Sequence, residues 1–422
     1  MIPWIVALLC AQAQGASAPG DAGKETTQQQ DSKVQDRLDD QEDRIKDLER
    51  RLAESEKRQS QTTSANPFTV LNPRMTVSGD FLWRADDKRV YVDNNPLKPP
   101  SDRIDDTVNM REVEMDLRAS VDPFVDAVAV ISVGSEIPGQ FDVEVEEFYA
   151  IVKSLPLPSW ETPPLGTKIK VGRFRTAFGL NNISHTHDLP QSDRPLVVRE
   201  FLGEDGMVAN GIATSSFLPS PGDTALELNL QVLGGGNSNV AEDRNRLSYL
   251  ANLNWFVPIA DEHSLNVSAI GFYGVDDHDA GHQNRVASLD LLYKWKPLKQ
   301  GEYNCFLFGG QMMYASHEFT DPLGAGERTH PFGYTVWAQY QMFASLYAGV
   351  RWDQTDMLTD DTMHRKQVSP YLTWYTSEFF RARFTYQHTW SDNPVEAGLD
   401  SFFVELVVVF GAHPPEPFWV NK

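Results

Sequence analysis

The feature that most constrains this chain is a period of two. From Met75 onward, apolar and polar residues alternate in one segment after another. Val113, Met115, Leu117 and Ala119 interleave with Glu112, Glu114, Asp116 and Arg118; Leu226, Leu228, Leu230 and Val232 with Glu227, Asn229 and Gln231; Phe380, Ala382, Phe384 and Tyr386 with Arg381, Arg383 and Gln387. Successive side chains of a strand point to opposite faces, so each segment has one apolar and one polar face. About sixteen such segments follow each other by this test. They begin near residues 75, 109, 124, 143, 167, 207, 225, 247, 264, 285, 303, 332, 345, 367, 380 and 401. Most run about 9–11 residues, the span of a tilted strand crossing a bilayer, against about 5–6 for soluble strands.

The links add a second regularity. Those after the second, twelfth and fourteenth segments are tight: Asp122-Pro123, Phe343-Ala344 and Ser377-Glu378-Phe379. Those after the first, fifth, seventh, ninth, eleventh and thirteenth are long. Trp83, Trp255, Trp295, Trp352, Trp374 and Trp390 fall toward segment ends. Short turns at one rim, long loops at the other and aromatic girdles between them describe a transmembrane barrel. The expected fold is all-β: a 16-stranded antiparallel transmembrane β-barrel over residues 75–418, with a short N-terminal coiled-coil helix. An even strand count puts both barrel ends at the short-turn rim.

Composition agrees. Only 41% of the 422 residues are hydrophobic, and past the N-terminus no apolar run approaches the roughly 18 residues of a spanning helix. Barrel strands average to a modest hydropathy, here −0.40. The net charge of −22 argues against nucleic acid, which requires a basic face. Cys10 lies in the apolar leader, which leaves Cys305 alone among Phe306, Leu307 and Phe308, a strand setting and not a reactive one. No CxxC or Cys/His zinc spacing occurs, so neither a cofactor nor a metal centre is expected.

Residues 1–13 read as a signal peptide, with an apolar core from Ile5 to Cys10 and an Ala11-Gln12-Ala13 cleavage pattern. Residues 28–58 carry a sparse heptad seam, with Val34, Gln41 and Leu48 at d and Leu38, Ile45 and Leu52 at a. So short a helix is marginal alone and gains from association of copies. Residues 59–74 form a linker. This layout places the chain in the bacterial outer membrane with its coiled coil in the periplasm.

The longest link, from about Thr176 to Met207, offers His185, His187, Asp188, Asp193, Arg194, Arg199, Glu200 and Glu204. A loop of this rank is expected to fold into the lumen, where mixed charges across a constriction sort solutes. His185-Thr186-His187 with Asp188 could chelate a metal; hydrogen bonding of the loop to the barrel wall is the preferred reading. Asp193-Arg194-Pro195 reads as an ion pair at a turn. Lumen-facing bases are Arg84, Arg118, Lys168, Lys170, Arg351, Arg381 and Arg383. Asp80, Glu112, Glu114, Asp116, Glu144, Glu146, Glu227, Asp290, Asp353 and Glu405 share that face, so phosphate selectivity does not follow from composition.

Lys170-Val171-Gly172-Arg173-Phe174-Arg175, Phe178-Gly179-Leu180-Asn181, His185, His187, Asp193-Arg194-Pro195 and Gly203-Glu204-Asp205-Gly206 together resemble a loop of porin-like proteins related to the phosphate-selective porin O/P family. Phe410-Gly411-Ala412-His413-Pro414-Pro415-Glu416-Pro417-Phe418 is similar to their tail. The resemblance implies a homotrimeric diffusion channel set in outer-membrane lipid. The expected function is passive passage of small hydrophilic solutes, anions among them, without enzyme chemistry. Two alternatives are a structural barrel tethered through its coiled coil and an outer-membrane lipid hydrolase. The hydrolase would need a Ser–His pair on the outer wall, where His388 is the strand histidine in range and no GxSxG accompanies it.

Overall fold

A computed structural model describes residues 74–420, apart from 92–98, 136, 138, 158–159, 277–280, 299–302, 322–323, 393–397 and 413–416. The signal peptide, the coiled coil and nearly all of the linker lie outside the described residues.

Seventeen strands follow in chain order: β1 (Arg74–Asp86), β2 (Val108–Ser120), β3 (Val125–Gly134), β4 (Asp142–Val152), β5 (Lys168–Arg175), β6 (Val208–Leu218), β7 (Ala225–Gly234), β8 (Leu247–Ala260), β9 (His263–Val275), β10 (Gln283–Trp295), β11 (Phe306–Thr320), β12 (Gly326–Thr329), β13 (Phe332–Phe343), β14 (Leu346–Met357), β15 (Asp360–Ser377), β16 (Phe380–Ser391) and β17 (Leu399–Gly411). Each barrel strand pairs antiparallel with its sequence neighbours, and β1 pairs β17 from Thr76↔Gly411 to Asp86↔Ser401. The short β12 pairs only with the outer end of β11, while β13 pairs the body of β11 directly. The result is a closed 16-stranded barrel without a free edge, as the periodicity predicts.

The two faces of the wall follow the alternation. Outward go Phe81, Trp83, Val145, Phe148, Leu253, Phe308, Tyr340, Trp374 and Phe402, all exposed. Inward go Gln231, Ser288, Gln311, Thr335, Gln339, Ser369, Thr373 and Thr385, all buried. That is the inverse of a water-soluble sandwich, in which such large side chains gain about 1.5–3 kcal/mol each from burial. An apolar outer band suits lipid instead.

One feature differs from the sequence reading. The link after the thirteenth segment is not long: β14 and β15 pair out to Met357↔Asp360, leaving Leu358 and Thr359 as the turn. Residues 360–366 lack apolar alternation because a hairpin rising above the apolar band has no lipid face to cover. The last strand stops at Gly411. Gly411 turns with φ +121°, and Ala412 donates its N–H back to Met75 O at 2.8 Å. Prolines 414, 415 and 417 lack the N–H that would extend the ladder.

Two β-bulges bear on the lumen. The β1–β2 register shifts between Asp80 and Phe81, which leaves Arg111 as the extra residue. The β3–β4 register shifts between Val130 and Ile131, which leaves Glu146 extra. A bulge re-aims a side chain that strict alternation would send to the other face.

Candidate functional site

The chain between β5 and β6 turns into the barrel. Its short helices are α1 (Leu180–Ile183) and α2 (Leu196–Leu202), with a 3-10 turn at Thr186–Asp188. Sequence explains the placement. The stretch Leu196-Val197-Val198 with Phe201 and Leu202 is apolar, and it buries with Phe178 and Met207 against Phe174, Leu233, Phe272 and Met313 of the inner wall. Gly179 allows the entry turn: its φ is +87°, and a Cβ there would lie 2.7 Å from Gln311 Nε2 and 2.8 Å from Asp290 Oδ2. Asn182 staples the base of the loop, donating to Thr176 O and Met207 O at 2.9 and 3.0 Å and accepting from Met207 N at 2.7 Å.

Opposite the entry, strand arginines grip the loop backbone. Arg383 donates to Leu189 O and Gln191 O at 2.7 and 2.8 Å while pairing with Glu405 at 2.7 Å. Arg351 donates to Asp193 O at 2.7 Å and pairs with Asp193 and Asp353, each at 2.7 Å. Arg111 donates to Ser192 O at 2.5 Å and pairs with Asp80. Backbone carbonyls satisfied by buried guanidinium groups hold a loop without secondary-structure partners of its own.

These contacts sort the sequence candidates. Arg351 and Arg383 point inward but are fully covered by the loop, so they anchor it and do not face the open lumen. Arg381 is also covered, donating to Tyr375 OH at 3.2 Å beneath Trp419. Arg84 pairs with Asp86 near the long-loop rim. Asp193 pairs with Arg351 and, at 3.6 Å, Arg199. The ion pair expected between Asp193 and Arg194 is absent: Arg194 turns away to donate to Asn181 O and Ser184 O, because consecutive residues on this extended turn diverge. Glu200 clamps the β14–β15 hairpin through Leu358 N–H and Arg365, at 2.7 and 2.6 Å. Glu204 is exposed and pairs with Arg199 at 2.6 Å.

His185 and His187 face the other wall, against β2 and β4. His185 Nε2 lies 3.0 Å from Glu147 Oε1, and His187 Nδ1 lies 3.8 Å from Glu114 Oε2. Burial opposes charge on both rings, yet the surrounding carboxylates prevail. Glu114, Glu146 and Glu147 hold His185 well above the ordinary imidazole range, and Asp188 and Glu114 push His187 up to about 9.

Beside the loop lies a cavity of about 630 Å³. Its charged lining is Arg118, Lys168, Lys170 and Arg175 against Glu147, Asp188 and Glu227. Arg118 is bound to Asp116 at 2.6 Å, and Arg175 to Glu146 at 2.6 Å. Lys170 Nζ sits 4.4 Å above the Tyr149 ring. Among the described residues, neither Lys168 nor Lys170 makes a carboxylate ion pair.

The tail supplies a part the sequence does not foretell. Phe418 and Pro417 border the same cavity. Trp419 is fully buried inside the barrel, donating Nε1–H to Asp188 O at 2.9 Å and packing edge-on against Tyr347. Cys305 and Leu307 complete this cluster. Sequence reasoning also passes over Arg111 and Glu147. Their signal is present: the polar doublets Arg111-Glu112 and Glu146-Glu147 break the alternation where the bulges fall. His388, the residue a hydrolase would require, is engaged with Asp400 at 2.6 Å and packs edge-on to Trp390.

No protein-family profile matches the sequence. An uncharacterised protein of Aquifex aeolicus is 35% identical over 129 residues, covering 31% of this chain and 24% of that relative's length. Among solved structures, OprB of Pseudomonas putida aligns with a TM-score of 0.56 at 8% identity, over 83% of this chain and 97% of its own. An anion-selective porin from Comamonas acidovorans aligns with 0.52 at 8% identity (80% and 99%), and the outer membrane channel DcaP of Acinetobacter baumannii with 0.52 at 9% identity (80% and 96%). At these identities the likeness is one of fold.

Proposed function

We propose that the protein is a passive channel of the bacterial outer membrane for small hydrophilic solutes, with a preference for anions. The carrying observation is the cavity of about 630 Å³, lined by charged side chains of both signs, that the inserted loop leaves beside it inside the barrel. The apolar outer wall fits lipid, and the fold is shared with an anion-selective porin and an outer membrane channel.

The preference for anions rests on which charges are free to act. In the passage Glu147 is tied to His185 and to the Arg175 N–H, Asp188 to His187 at 3.7 Å, and Glu227 to Ser215. Lys168 and Lys170 keep their charge available to a passing solute. A low-dielectric wall amplifies such unpaired charge. The overall acidity of the chain does not contradict this, because charges outside the passage are screened within roughly 8–10 Å. The reading involves no covalent step, cofactor or nucleic acid.

Three copies are expected to associate, with the heptad seam of residues 28–58 as the proposed association element. Purified protein in planar bilayers tests the channel reading. It should insert with discrete conductance steps, grouped in threes for a trimer. A folded barrel that stays silent would rule the reading out.

A further inference from the structure

Where the loop meets β2 and β4, two buried carboxylates and the half-buried His185 ring converge without a hydrogen bond to join them. His185 Nδ1 lies 2.8 Å from Glu114 Oε2 and 3.2 Å from Glu146 Oε2. The angles fall outside hydrogen-bond geometry, so His185 Nδ1 and Glu114 Oε2 are each buried with no hydrogen-bond partner. Glu114 is 5% exposed, and one ligand atom from each of the three residues falls within 4.8 Å of the others. Around a tetrahedral ion with bonds of about 2.0–2.2 Å, neighbouring ligand atoms sit roughly 3.3 Å apart. The two distances from His185 Nδ1, 2.8 and 3.2 Å, lie within about 0.5 Å of that spacing.

The outer contacts fit the same purpose. His185 Nε2–H points to Glu147 Oε1 at 3.0 Å, so an ion that takes the place of the Nδ1 proton, released to solvent, meets the Nδ1 lone pair. Glu147 is itself fixed by the Arg175 N–H at 3.0 Å. A carboxylate behind a ligating imidazole orients the ring and raises its basicity. Four carboxylates, those of Glu112, Glu114, Glu146 and Glu147, meet the rings of His185 and His187 and the guanidinium of Arg175, which lies 2.6 Å from Glu146 Oε2.

We propose that Glu114, Glu146 and His185 bind a divalent first-row transition-metal ion at the contact between the lumen loop and the barrel wall. One imidazole nitrogen with two carboxylate oxygens favours such an ion over Ca²⁺ or Mg²⁺, whose shells are built of oxygen. His187 Nδ1, 3.8 Å from the same Glu114 oxygen, offers a further imidazole nitrogen. Open spaces reach the cluster from two sides, both touching His185, so the ion exchanges with the lumen. Bound there, it ties the loop to β2 and β4, across from the Arg351 and Arg383 anchors. The site stands on its own geometry, whether or not the barrel conducts.

Zinc titration of full-length, chelator-stripped protein by calorimetry, with bound metal counted by elemental analysis, tests the site. Wild-type protein should take up one equivalent at neutral pH. His185→Gln and Glu114→Gln should abolish stoichiometric uptake. Glu147→Gln should weaken it about 10–100-fold as an outer-contact loss, while His330→Gln should leave it unchanged. Folding of each variant is checked by heat-dependent gel mobility. Wild-type protein that binds no zinc overturns the proposal without any variant, as does uptake undiminished in folded His185→Gln. The second result would mean that imidazolium protons alone balance the carboxylates.

Discussion

At the scale of single residues, the inner wall works by division of labour. Arginines on β2, β14 and β16 hold the loop, and lysines on β5 face what is left open. Parity along the strands tells which side chains point inward, so Arg351 and Arg383 are legible as inner-face residues. Parity cannot tell which of them a loop will cover, because that depends on contacts far away in sequence. Arg111 and Glu147 escape because a bulge suspends the rule that makes the rest readable. Replacing Arg383 with Met should be costly. It leaves Glu405 buried without its closest partner and frees two loop carbonyls. Loss of one member of a buried pair costs about 3–5 kcal/mol. Thermal unfolding should show the lower stability, and single-channel recording a larger, noisier conductance as the loop loosens. Unchanged current would mean that the arginines do not position the loop.

At the scale of elements, the loop and the tail share the lumen. The sequence marks the loop by its length and by a run of apolar residues out of step with strand alternation. It holds no hint that Trp419 meets Asp188, since nothing local in Pro417–Val420 encodes an inward path. Truncation after Ala412 should raise single-channel conductance, because Phe418 borders the passage and Trp419 fills the lumen against Tyr347 and Tyr375. Trp419→Ala should do the same in part, at a stability cost of about 3–5 kcal/mol for an aromatic cut back to Ala. If truncated protein conducts as the full chain does, the tail is not an obstacle to flow. The β14–β15 hairpin reads as loose loop for the opposite reason: its ladder persists where the lipid-facing pattern stops.

At the scale of the whole molecule, closure is the most legible property. Sixteen period-two segments, an even count, admit few arrangements other than a barrel with both ends at one rim, and β1 does pair with β17. Oligomeric state is legible through the family resemblance and the heptad seam at 28–58, not through the alternation of the barrel strands. Deleting that segment should leave the conductance of each barrel unchanged while weakening the trimer in cross-linking; a trimer of undiminished strength would locate the association in the barrel walls instead.

The central claim is that an anion-favouring passage runs beside the loop, and reversal potential in a KCl gradient tests it most directly. Wild-type channels should reverse toward the chloride equilibrium potential. Lys168→Glu with Lys170→Glu should shift reversal toward potassium while conductance persists. Wild-type reversal at the potassium potential, or a double variant that reverses as wild type does, would contradict the account.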